Sequence, residues 1–295
     1  MKKALYTVIL PLLTALIWGT AFTMQRMAVE HLSPFSLNGI RFLMGGVLLL
    51  IVNAVRVKRF GLRIGNWKKL LAGSLCCGLA LAAASDVQQF GVMYATAGKA
   101  GFITSLYMVL VPVLGLFLKK RVPFRIWIAV ALALTGLYFL SVTEGFSVIP
   151  TDGFLLFAAL MFAVQILFID RYVQESDSLC LSCGQFLVAG TLSAVIACFT
   201  DHTTFADVTA VLWPVLYMGV CSTGIAYTLQ VLALKHGDPT PVTLICSLES
   251  VFAAVAGALI LHEVLSGREL AGCALMLLAV VLAELPGELF RKRQK

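Results

Sequence analysis

The sequence predicts an all-α integral membrane protein in which ten transmembrane helices form two inverted repeats of five. Three observations support this fold class. The 295 residues are 60% hydrophobic and 13% charged, with a mean hydropathy of +0.95, which is too apolar for a soluble globular protein of this length. The chain also contains a series of long apolar runs, and its two halves align with one another.

Each apolar run has about the length that one helix needs to cross roughly 30 Å of hydrocarbon. The predicted spans are residues 5–25, 34–55, 70–93, 99–118, 124–142, 153–170, 180–199, 211–233, 240–261 and 268–285. Because ten such spans use about 200 residues, only short loops and tails remain, and no soluble domain is expected. A transmembrane β-barrel would show alternating polarity over about ten residues, whereas runs such as "GGVLLLIVNAV" are continuous.

Lysine and arginine residues indicate the orientation of the spans. If the chain changes sides after each span, all 22 basic residues except Arg26, Lys99, Arg268 and Arg41 fall on the side that holds the N-terminus. By the positive-inside tendency, both termini of this multi-pass protein are expected to be cytoplasmic. The formal charge of +7 therefore reflects topology. Its spread over loops and tails argues against a nucleic-acid partner, which would need a basic folded face.

The chain also contains an internal repeat. A shift of 142 residues aligns "SLYMVLVPVLG" (105–115) with "SLESVFAAVAG" (247–257). A shift of 144 aligns "GIRFLMGG" (39–46) with "CGQFLVAG" (183–190) and places Trp18 on Phe162. Two alignments in the same order at nearly equal offsets indicate a duplicated unit.

The alignments divide the chain into a first five-helix repeat, residues 1–145, and a second, residues 146–295. An odd number of spans in each repeat inverts the second repeat relative to the first. Inverted repeats are typical of secondary transporters, in which the substrate site lies near the membrane midplane between the repeats. We therefore expect one transport domain built from both repeats.

Four segments carry a resemblance to a known family. They are "ALIWGTAF" (15–22), "RFLMGG" (41–46), "TAGKAGFITSLYMVLVPVLG" (96–115) and "SLESVFAAVAGALILHEVLSGRELAGCAL" (247–275). In their number and order they make the chain similar to the ten-helix, two-repeat EamA-type transporters of the drug/metabolite transporter superfamily. The resemblance covers essentially the whole chain.

The resemblance implies a transporter of small organic metabolites in the bacterial inner membrane. Because export is the more common activity in this family, we expect an exporter of amino acids or related metabolites that works by alternating access. The alternative is an importer of a vitamin, nucleoside or similar solute. A channel and an integral-membrane transferase are more remote alternatives.

Three ionisable residues fall within predicted spans, namely Arg41, Asp86 and Glu249. Such residues cost about 2.5–3.5 kcal/mol on insertion scales, so they usually face the bundle interior or water. Glu249 is either a substrate-contacting or proton-carrying carboxylate or an acceptor that fixes helix packing. Arg41 either binds a substrate carboxylate or phosphate or, as we favour, pairs with Asp86 or Glu249. Asp86 is expected nearer the outer end, in contact with water, and is the second candidate for proton coupling.

Two further helix faces carry polar side chains that we expect to line a cavity. They are Ser85, Gln88 and Gln89 in the third span and Thr223, Tyr227 and Gln230 in the eighth. Their spacings place each set on one face of its helix, and amides in lipid need partners. Trp18 and Tyr107 are candidates for the cavity wall. Gln165 and Gln185 are predicted to form helix-to-helix hydrogen bonds.

Motifs of enzymes and metal sites are incomplete in this chain. "CLSC" (180–183) has CxxC spacing but no second pair of zinc ligands follows. "AGKAG" (97–101) lacks the first glycine and the Ser or Thr of a phosphate-binding loop. We therefore expect no catalytic residue, no metal site and no cofactor. The expected partners are a small-molecule substrate and the lipid bilayer, with proton or ion coupling left open.

Overall fold

The computed structural model describes residues 4–61, 65–95, 97–142, 150–260 and 265–285. Within these ranges the regular structure is helical, apart from one isolated bridge between Gly65 and Ser176. In chain order the long helices are α1 (Leu5–Ala28), α2 (Pro34–Phe60), α3 (Trp67–Tyr94), α4a (Ala97–Ser105), α4b (Tyr107–Phe117), α5 (Phe124–Ser141), α6 (Asp152–Tyr172), α7 (Ser178–Thr200), α8 (Leu212–His236), α9a (Pro239–Cys246), α9b (Glu249–Ile260) and α10 (Gly267–Glu284). A short helix, Phe205–Ala210, lies between α7 and α8. The prediction of an all-helical fold is therefore confirmed for the described residues.

Nine helical segments in the described part of the chain are long and apolar enough to cross a membrane, with α4a–α4b and α9a–α9b each counting once. They correspond to the first nine predicted spans. The tenth predicted span coincides with α10, which has 18 residues and carries Arg268, Glu269 and Glu284. The total of ten transmembrane helices stays a prediction.

Helix ends follow local sequence signals. The α2 helix begins after Ser33, whose side chain accepts a hydrogen bond from the backbone N–H of Ser36, and has Pro34 in its first turn. It ends at Gly61, which adopts the left-handed conformation (φ 60°) that favours glycine. In the same way, the side chain of Asp177 accepts hydrogen bonds from the first backbone N–H groups of α7.

Helices α2 and α7 pack against one another in antiparallel orientation. A Cβ atom built on Gly39 would lie 3.0 Å from Ala194, and one built on Gly46 would lie 2.8 Å from Leu187. As the residue number increases along α2, the number of the contacting residue in α7 therefore decreases. Because residues 39–46 align with 183–190 under the 144-residue shift, this antiparallel contact joins equivalent helices of the two repeats.

Helices α5 and α10 show the same relationship. A Cβ atom on Gly136 would lie 2.7 Å from the carbonyl oxygen of Gly272, and one on Gly272 would lie 2.7 Å from the amide nitrogen of Leu140. These close approaches depend on the absence of side chains at both glycines. Two antiparallel pairs of equivalent helices support the inverted repeat.

The fourth and ninth spans are each divided into two half-helices, which the sequence does not predict. The divisions lie at Leu106 and at Ser247–Leu248. The backbone N–H of Leu106 donates to the carbonyl oxygen of Ile103 at 3.2 Å, and that of Leu248 donates to Ile245 at 3.1 Å. Both are tight bonds between residues three apart, and a tight turn inside a helix often marks a hinge. The two bonds are repeat equivalents under the 142-residue shift.

Side-chain hydrogen bonds connect α2 to α7 at both ends of the bundle. At one end, Arg56 forms hydrogen bonds of 2.9 and 3.0 Å to the two carboxylate oxygens of Asp177. At the other end, Asp201 accepts hydrogen bonds from the hydroxyls of Ser33 and Ser36. Burial tends to raise the pKa of Asp177, but the hydrogen bonds from Arg56 and from the backbone N–H of Cys180 outweigh it, so the pKa lies below its ordinary value.

We expect Gly272→Ala to destabilise the protein. The new Cβ atom would lie 2.6 Å from the carbonyl oxygen of Gly136, so α5 and α10 would have to move apart, at a cost of about 1–3 kcal/mol. The thermal unfolding midpoint in detergent should fall by several degrees. The matched control is Gly267→Ala on the same helix, where a Cβ atom would meet nothing within 4 Å. An equal midpoint for the two variants would contradict the close helix contact.

Asp177→Asn tests the ion pair at the start of α7. Asparagine also accepts hydrogen bonds at a helix N-terminus, so the substitution removes chiefly the charge. Because the pKa of Asp177 is lower in the folded state, its carboxylate contributes stability above the unfolded pKa of about 3.9, and this contribution is lost as the pH falls through the folded pKa.

The unfolding midpoint of the Asp177→Asn protein should therefore lie below that of the wild type at pH 7, and the difference should shrink at acid pH. The control is Asp238→Asn, since Asp238 precedes α9a without a side-chain hydrogen bond to that helix. A difference that is independent of pH would show that the ion pair contributes nothing.

Candidate functional site

The hinge turns of α4 and α9 bring two repeat-equivalent residues together. Tyr107 begins α4b and Glu249 begins α9b. The Tyr107 hydroxyl donates to Oε1 of Glu249 at 3.4 Å, and the Ser105 hydroxyl donates to the same oxygen at 3.3 Å. Residues that are related by the 142-residue shift and touch each other must lie near the axis that relates the repeats.

Glu249 is buried, with an exposed fraction of 4%, at the first turn of α9b. The partial positive charge of a helix N-terminus stabilises a carboxylate at this position. Helix α1 approaches closely here, because a Cβ atom on Gly19 would lie 2.6 Å from the carbonyl oxygen of Glu249. The internal acid of the ninth span is thus stabilised by two hydroxyl donors and one helix end.

Aromatic rings stack beside this polar centre. Phe42 and Phe186, equivalent under the 144-residue shift, are stacked with their centroids 6.4 Å apart and an interplanar angle of 17°. Tyr227 meets both rings edge to face, at 6.3 and 6.0 Å, and meets Trp18 at 4.7 Å. Such edge-to-face contacts are favourable for aromatic pairs, so Tyr227 connects the α2–α7 pair to α1.

A cavity lies between these groups at the centre of the bundle. Of the residues predicted to bind substrate, those that line it are Trp18, Arg41, Gln88, Tyr107, Tyr227, Gln230 and Glu249. The space open to the centres of water-sized molecules is about 40 Å³, which corresponds to room for about three waters. The cavity is therefore narrow in this structure, and the roles of these residues in binding stay predictions.

Arg41 is not paired as we expected. Its side chain is 2% exposed and lines the cavity. Within the described ranges no carboxylate oxygen lies within 4.0 Å of its nitrogen atoms, and its Nε has no hydrogen-bond partner. The predicted pairing with Asp86 or Glu249 is therefore wrong. The guanidinium instead stacks on the Phe42 ring, 4.6 Å from its centroid.

Asp86 lies inside the bundle and not in contact with water. Its side chain is 5% exposed, which corrects the prediction of a water-exposed position. Asn38 donates to it at 2.7 Å, and the Ser193 hydroxyl lies 2.9 and 3.0 Å from its two oxygens. Because helices α2 and α7 supply these donors, the carboxylate is satisfied without an ion pair. Asp86 does not line the central cavity, and its role in proton coupling stays a prediction.

The polar face of α3 is only partly directed into the cavity. Gln88 lines the cavity and donates to the Thr104 hydroxyl at 3.3 Å. Gln89 and Ser85 are fully buried and do not line the cavity, and the Gln89 amide has no hydrogen-bond partner within the described ranges. The structure therefore brings one of the three predicted residues of this face to the cavity.

The polar face of α8 departs from α-helical spacing. Residues Tyr217–Tyr227 form a π-helix, in which each hydrogen bond spans one more residue than in an α-helix. This rotates Thr223 away from the cavity and onto Gly45, while Ser222 lines the cavity together with Tyr227 and Gln230. The α-helical spacing used for the prediction therefore misplaces the first residue of the set.

Several lining residues were not predicted from the sequence. They are Ala21, Phe22, Gln25, Thr104, Phe162, Ile166 and Ser222. Gln25 follows Trp18 by seven residues, a spacing that places both on one helix face. Phe162 is the repeat equivalent of Trp18, so the alignment already contained this signal. Gln165, which also lines the cavity, donates to Gln185 at 3.0 Å, as the predicted helix-to-helix bond requires.

Three comparisons relate the chain to known proteins. The sequence model of the "EamA-like transporter family" matches it twice, over residues 5–142 and 150–285. An "Uncharacterized transporter" of Archaeoglobus fulgidus is 33% identical over 284 residues, which cover 96% of this chain and 87% of that protein. The "Uncharacterized transporter YwfM" of Bacillus subtilis (strain 168) is 29% identical over 297 residues, covering 96% of this chain and 94% of its own.

A solved crystal structure of another protein has the same fold. It superposes with a TM-score of 0.80 at 18% sequence identity, and covers 97% of this chain and 99% of the other.

Ser193→Ala tests the hydrogen bonds that hold Asp86. The substitution leaves the buried carboxylate with one donor fewer, and hydrogen bonds to charged groups contribute about 1.5–3 kcal/mol. We expect a loss of stability in that range by chemical unfolding in detergent. Ser182→Ala on the same helix is the control, because Ser182 is equally buried but bonds only to the backbone carbonyl of Ser178. Equal losses would show that the bond to Asp86 is unimportant.

Proposed function

Because the chain belongs to the EamA-like transporter family, we propose that it is a secondary transporter that moves a small organic metabolite across the cytoplasmic membrane by alternating access. The observation that carries this proposal is the meeting of two repeat-equivalent hinge turns at one central cavity. Discontinuous helices at the interface of inverted repeats are a recurring construction of secondary transporters. Exchange of conformation between the repeats would open the cavity first to one side and then to the other.

Export of amino acids or related metabolites is the proposed activity. The direction follows from the resemblance to the family, and the substrate class is supported by the charged groups Arg41 and Glu249 in the cavity wall. Uptake of a nucleoside, vitamin or similar solute is the second candidate. It is favoured by the aromatic and amide groups of the wall, since Trp18, Tyr227 and Gln88 suit a flat, neutral ring.

Topology and domain organisation complete the proposal. The transport domain consists of two repeats, residues 1–145 and 146–295, with both termini in the cytoplasm. The distribution of lysine and arginine supports this orientation, and the two family matches support the division. The site would contain the seven predicted lining residues, with Ser85 and Gln89 entering the wall only in another conformation.

The experiment begins with untargeted metabolite analysis of cells with and without the gene. Compounds that differ between the cells are then tested with the purified protein in proteoliposomes. A carrier should saturate with substrate concentration and should show counterflow. A channel would show neither property, and a transferase would convert the compound. Transport without saturation or counterflow would reject the proposal.

Glu249→Gln tests proton coupling. The glutamine retains the shape of the side chain and can still accept hydrogen bonds, but it cannot exchange a proton. We expect the variant to lose accumulation driven by an imposed pH gradient, while counterflow at equal pH on both sides persists at saturating substrate concentration even if the apparent affinity falls. Glu175→Gln is the control, because Glu175 is half-exposed and faces Lys69 at 3.5 Å, away from the cavity. Unchanged pH-driven accumulation in Glu249→Gln would reject the proton-carrying role.

A further inference from the structure

A groove opens between the end of α4b and the end of α6, and we infer that it binds an anionic glycerophospholipid. The space in it that is open to the centres of water-sized molecules is about 630 Å³. One acyl chain would lie in the groove, and the phosphate group would lie against basic residues at its end. Among the described residues none lines both this groove and the central cavity. The inference therefore goes beyond the proposed function and does not depend on which solute is transported.

The groove has the composition of a surface that contacts hydrocarbon. Its apolar lining residues are Leu114, Phe117, Leu118, Val164, Leu167 and Phe168. Phe117 and Leu118 are 80% and 60% exposed, so packing inside the bundle does not account for them. Val164, Phe168 and Arg171 lie on one face of α6 and extend about 10 Å along the helix. This is about two thirds of the hydrocarbon of one leaflet, which is about 15 Å thick, so the groove has the length that an acyl chain needs below its headgroup.

Basic residues lie at the end of the groove. Lys120 and Arg171 line it, and Lys119 and Arg121 are the chain neighbours of Lys120. Lys120 pairs with Asp170, the acidic residue of the groove. Lys119, Arg121 and Arg171 are exposed, and no carboxylate oxygen in the described part of the chain lies within 4.0 Å of their nitrogen atoms. Basic sites of this kind between transmembrane helices bind anionic lipid headgroups.

The turn that ends α4b places a lysine in a conformation that favours glycine. The backbone N–H of Lys120 donates to the carbonyl oxygen of Gly115 at 2.9 Å, and that of Lys119 donates to Leu116 at 2.9 Å. These two bonds form a Schellman motif, in which the left-handed residue is usually glycine. Here it is Lys119, with φ 59°, and no other residue except glycine has a positive φ in the described ranges. Such strain is typical of functional positions, and binding of a phosphate group gives it a reason.

A lipid suits the groove better than a soluble anion or a second copy of the chain. A soluble anion would contact the basic residues and leave the apolar lining uncovered. A second copy in the same membrane orientation would have to supply carboxylates to the exposed cations at this end of the bundle. Asp170, Glu175 and Asp177 at this end are already paired with lysine or arginine. An anionic lipid supplies both the hydrocarbon and the negative charge.

The groove lies behind the wall of the central cavity. In α6, Gln165 and Ile166 line the central cavity. Their neighbours Val164 and Leu167 line the groove. Helix α4b likewise begins at Tyr107 in the cavity wall and ends in the groove. A lipid between these two helices would hold the back of the cavity wall in place, so its binding should stabilise the folded protein.

The test uses the full chain, purified and exchanged into lipid-free detergent, and native mass spectrometry at increasing concentrations of added lipid. The two lipids are a phosphatidylglycerol, which is anionic, and a phosphatidylcholine with the same acyl chains and no net charge. We expect phosphatidylglycerol to bind at least about tenfold more tightly, since several cations attract its headgroup. It should also raise the thermal unfolding midpoint more at equal concentration, because a ligand of the folded state stabilises that state.

A double variant assigns the headgroup preference to the end of the groove. Arg121→Gln combined with Arg171→Gln should bring the two lipid affinities to within about twofold of each other. The control combines Lys58→Gln with Arg59→Gln at the end of α2. These two residues are also exposed and basic but do not line the groove, so the preference for phosphatidylglycerol should persist.

Lys119→Gly separates binding from folding. Because glycine adopts the left-handed conformation without strain, the lipid-free variant should unfold at the same temperature as the wild type or higher. Its preference for phosphatidylglycerol should nevertheless fall, since a cation is lost. If the lysine served only the fold, the unfolding temperature would fall and the lipid preference would stay unchanged, and this result would contradict the inference.

Val164→Trp tests the groove itself. The larger side chain would occupy part of the space for the acyl chain, so both lipids should bind at least about fivefold more weakly. Ile51→Trp is the control, because Ile51 is 59% exposed on α2 and does not line the groove. Unchanged lipid binding in Val164→Trp would contradict the inference.

Three further outcomes would overturn the lipid site. The first is equal affinity of the wild type for the two lipids, and the second is an unchanged preference in the double variant. The third is a dimer that Val164→Trp converts to a monomer without a change in lipid binding, which would assign the groove to a second copy. Competition by inorganic phosphate at equal molar concentration would assign the basic residues to a soluble anion and would also overturn it. None of these readouts requires transport, so the proposed function is tested separately.

Discussion

Hydrocarbon provides no hydrogen bonds, and this constraint governs where the ionisable residues within the spans lie. Asp86, Glu249 and Arg41 are nearly inaccessible to solvent, and each lies on an inward face of its helix. The two carboxylates receive hydroxyl or amide donors from neighbouring helices. Arg41 has the Phe42 ring and an open cavity. These three ionisable residues are therefore held inside the bundle, where neighbouring helices supply donors to the two carboxylates.

The repeat explains why the polar centre lies where it does. Equivalent helices meet at the relating axis, so equivalent residues such as Phe42 and Phe186 or Tyr107 and Glu249 touch one another. At the axis the two repeats differ in chemistry, because Glu249 of one repeat faces Tyr107 of the other. A symmetric framework thus holds an asymmetric site. Because inverted repeats face opposite sides of the membrane, the difference between Glu249 and Tyr107 also makes the two sides of the site different.

Much of the fold follows from local sequence. Apolar run lengths predict the helices closely, because spanning a bilayer requires a fixed length of continuous helix. Residues on one predicted face, such as Tyr227 and Gln230, do line the cavity. Contacts between residues that are far apart in sequence do not follow from local sequence. Whether Arg41 pairs with Asp86 depends on the donors Asn38 and Ser193 from helices far apart in sequence. The hinge turns and the π-helix depend on hydrogen-bond patterns to which hydropathy is insensitive.

The inverted arrangement of the repeats is the central claim, and disulfide cross-linking between α2 and α7 tests it most directly. In a background without the native cysteines, Gly39→Cys is combined either with Ala194→Cys or with a cysteine restored at position 183. A Cβ atom on Gly39 would lie 3.0 Å from Ala194, whereas Cys183 is eleven residues earlier in α7, about 16 Å along the helix. The account predicts a disulfide for the pair 39–194 and none for 39–183. A disulfide between 39 and 183, with none between 39 and 194, would contradict it.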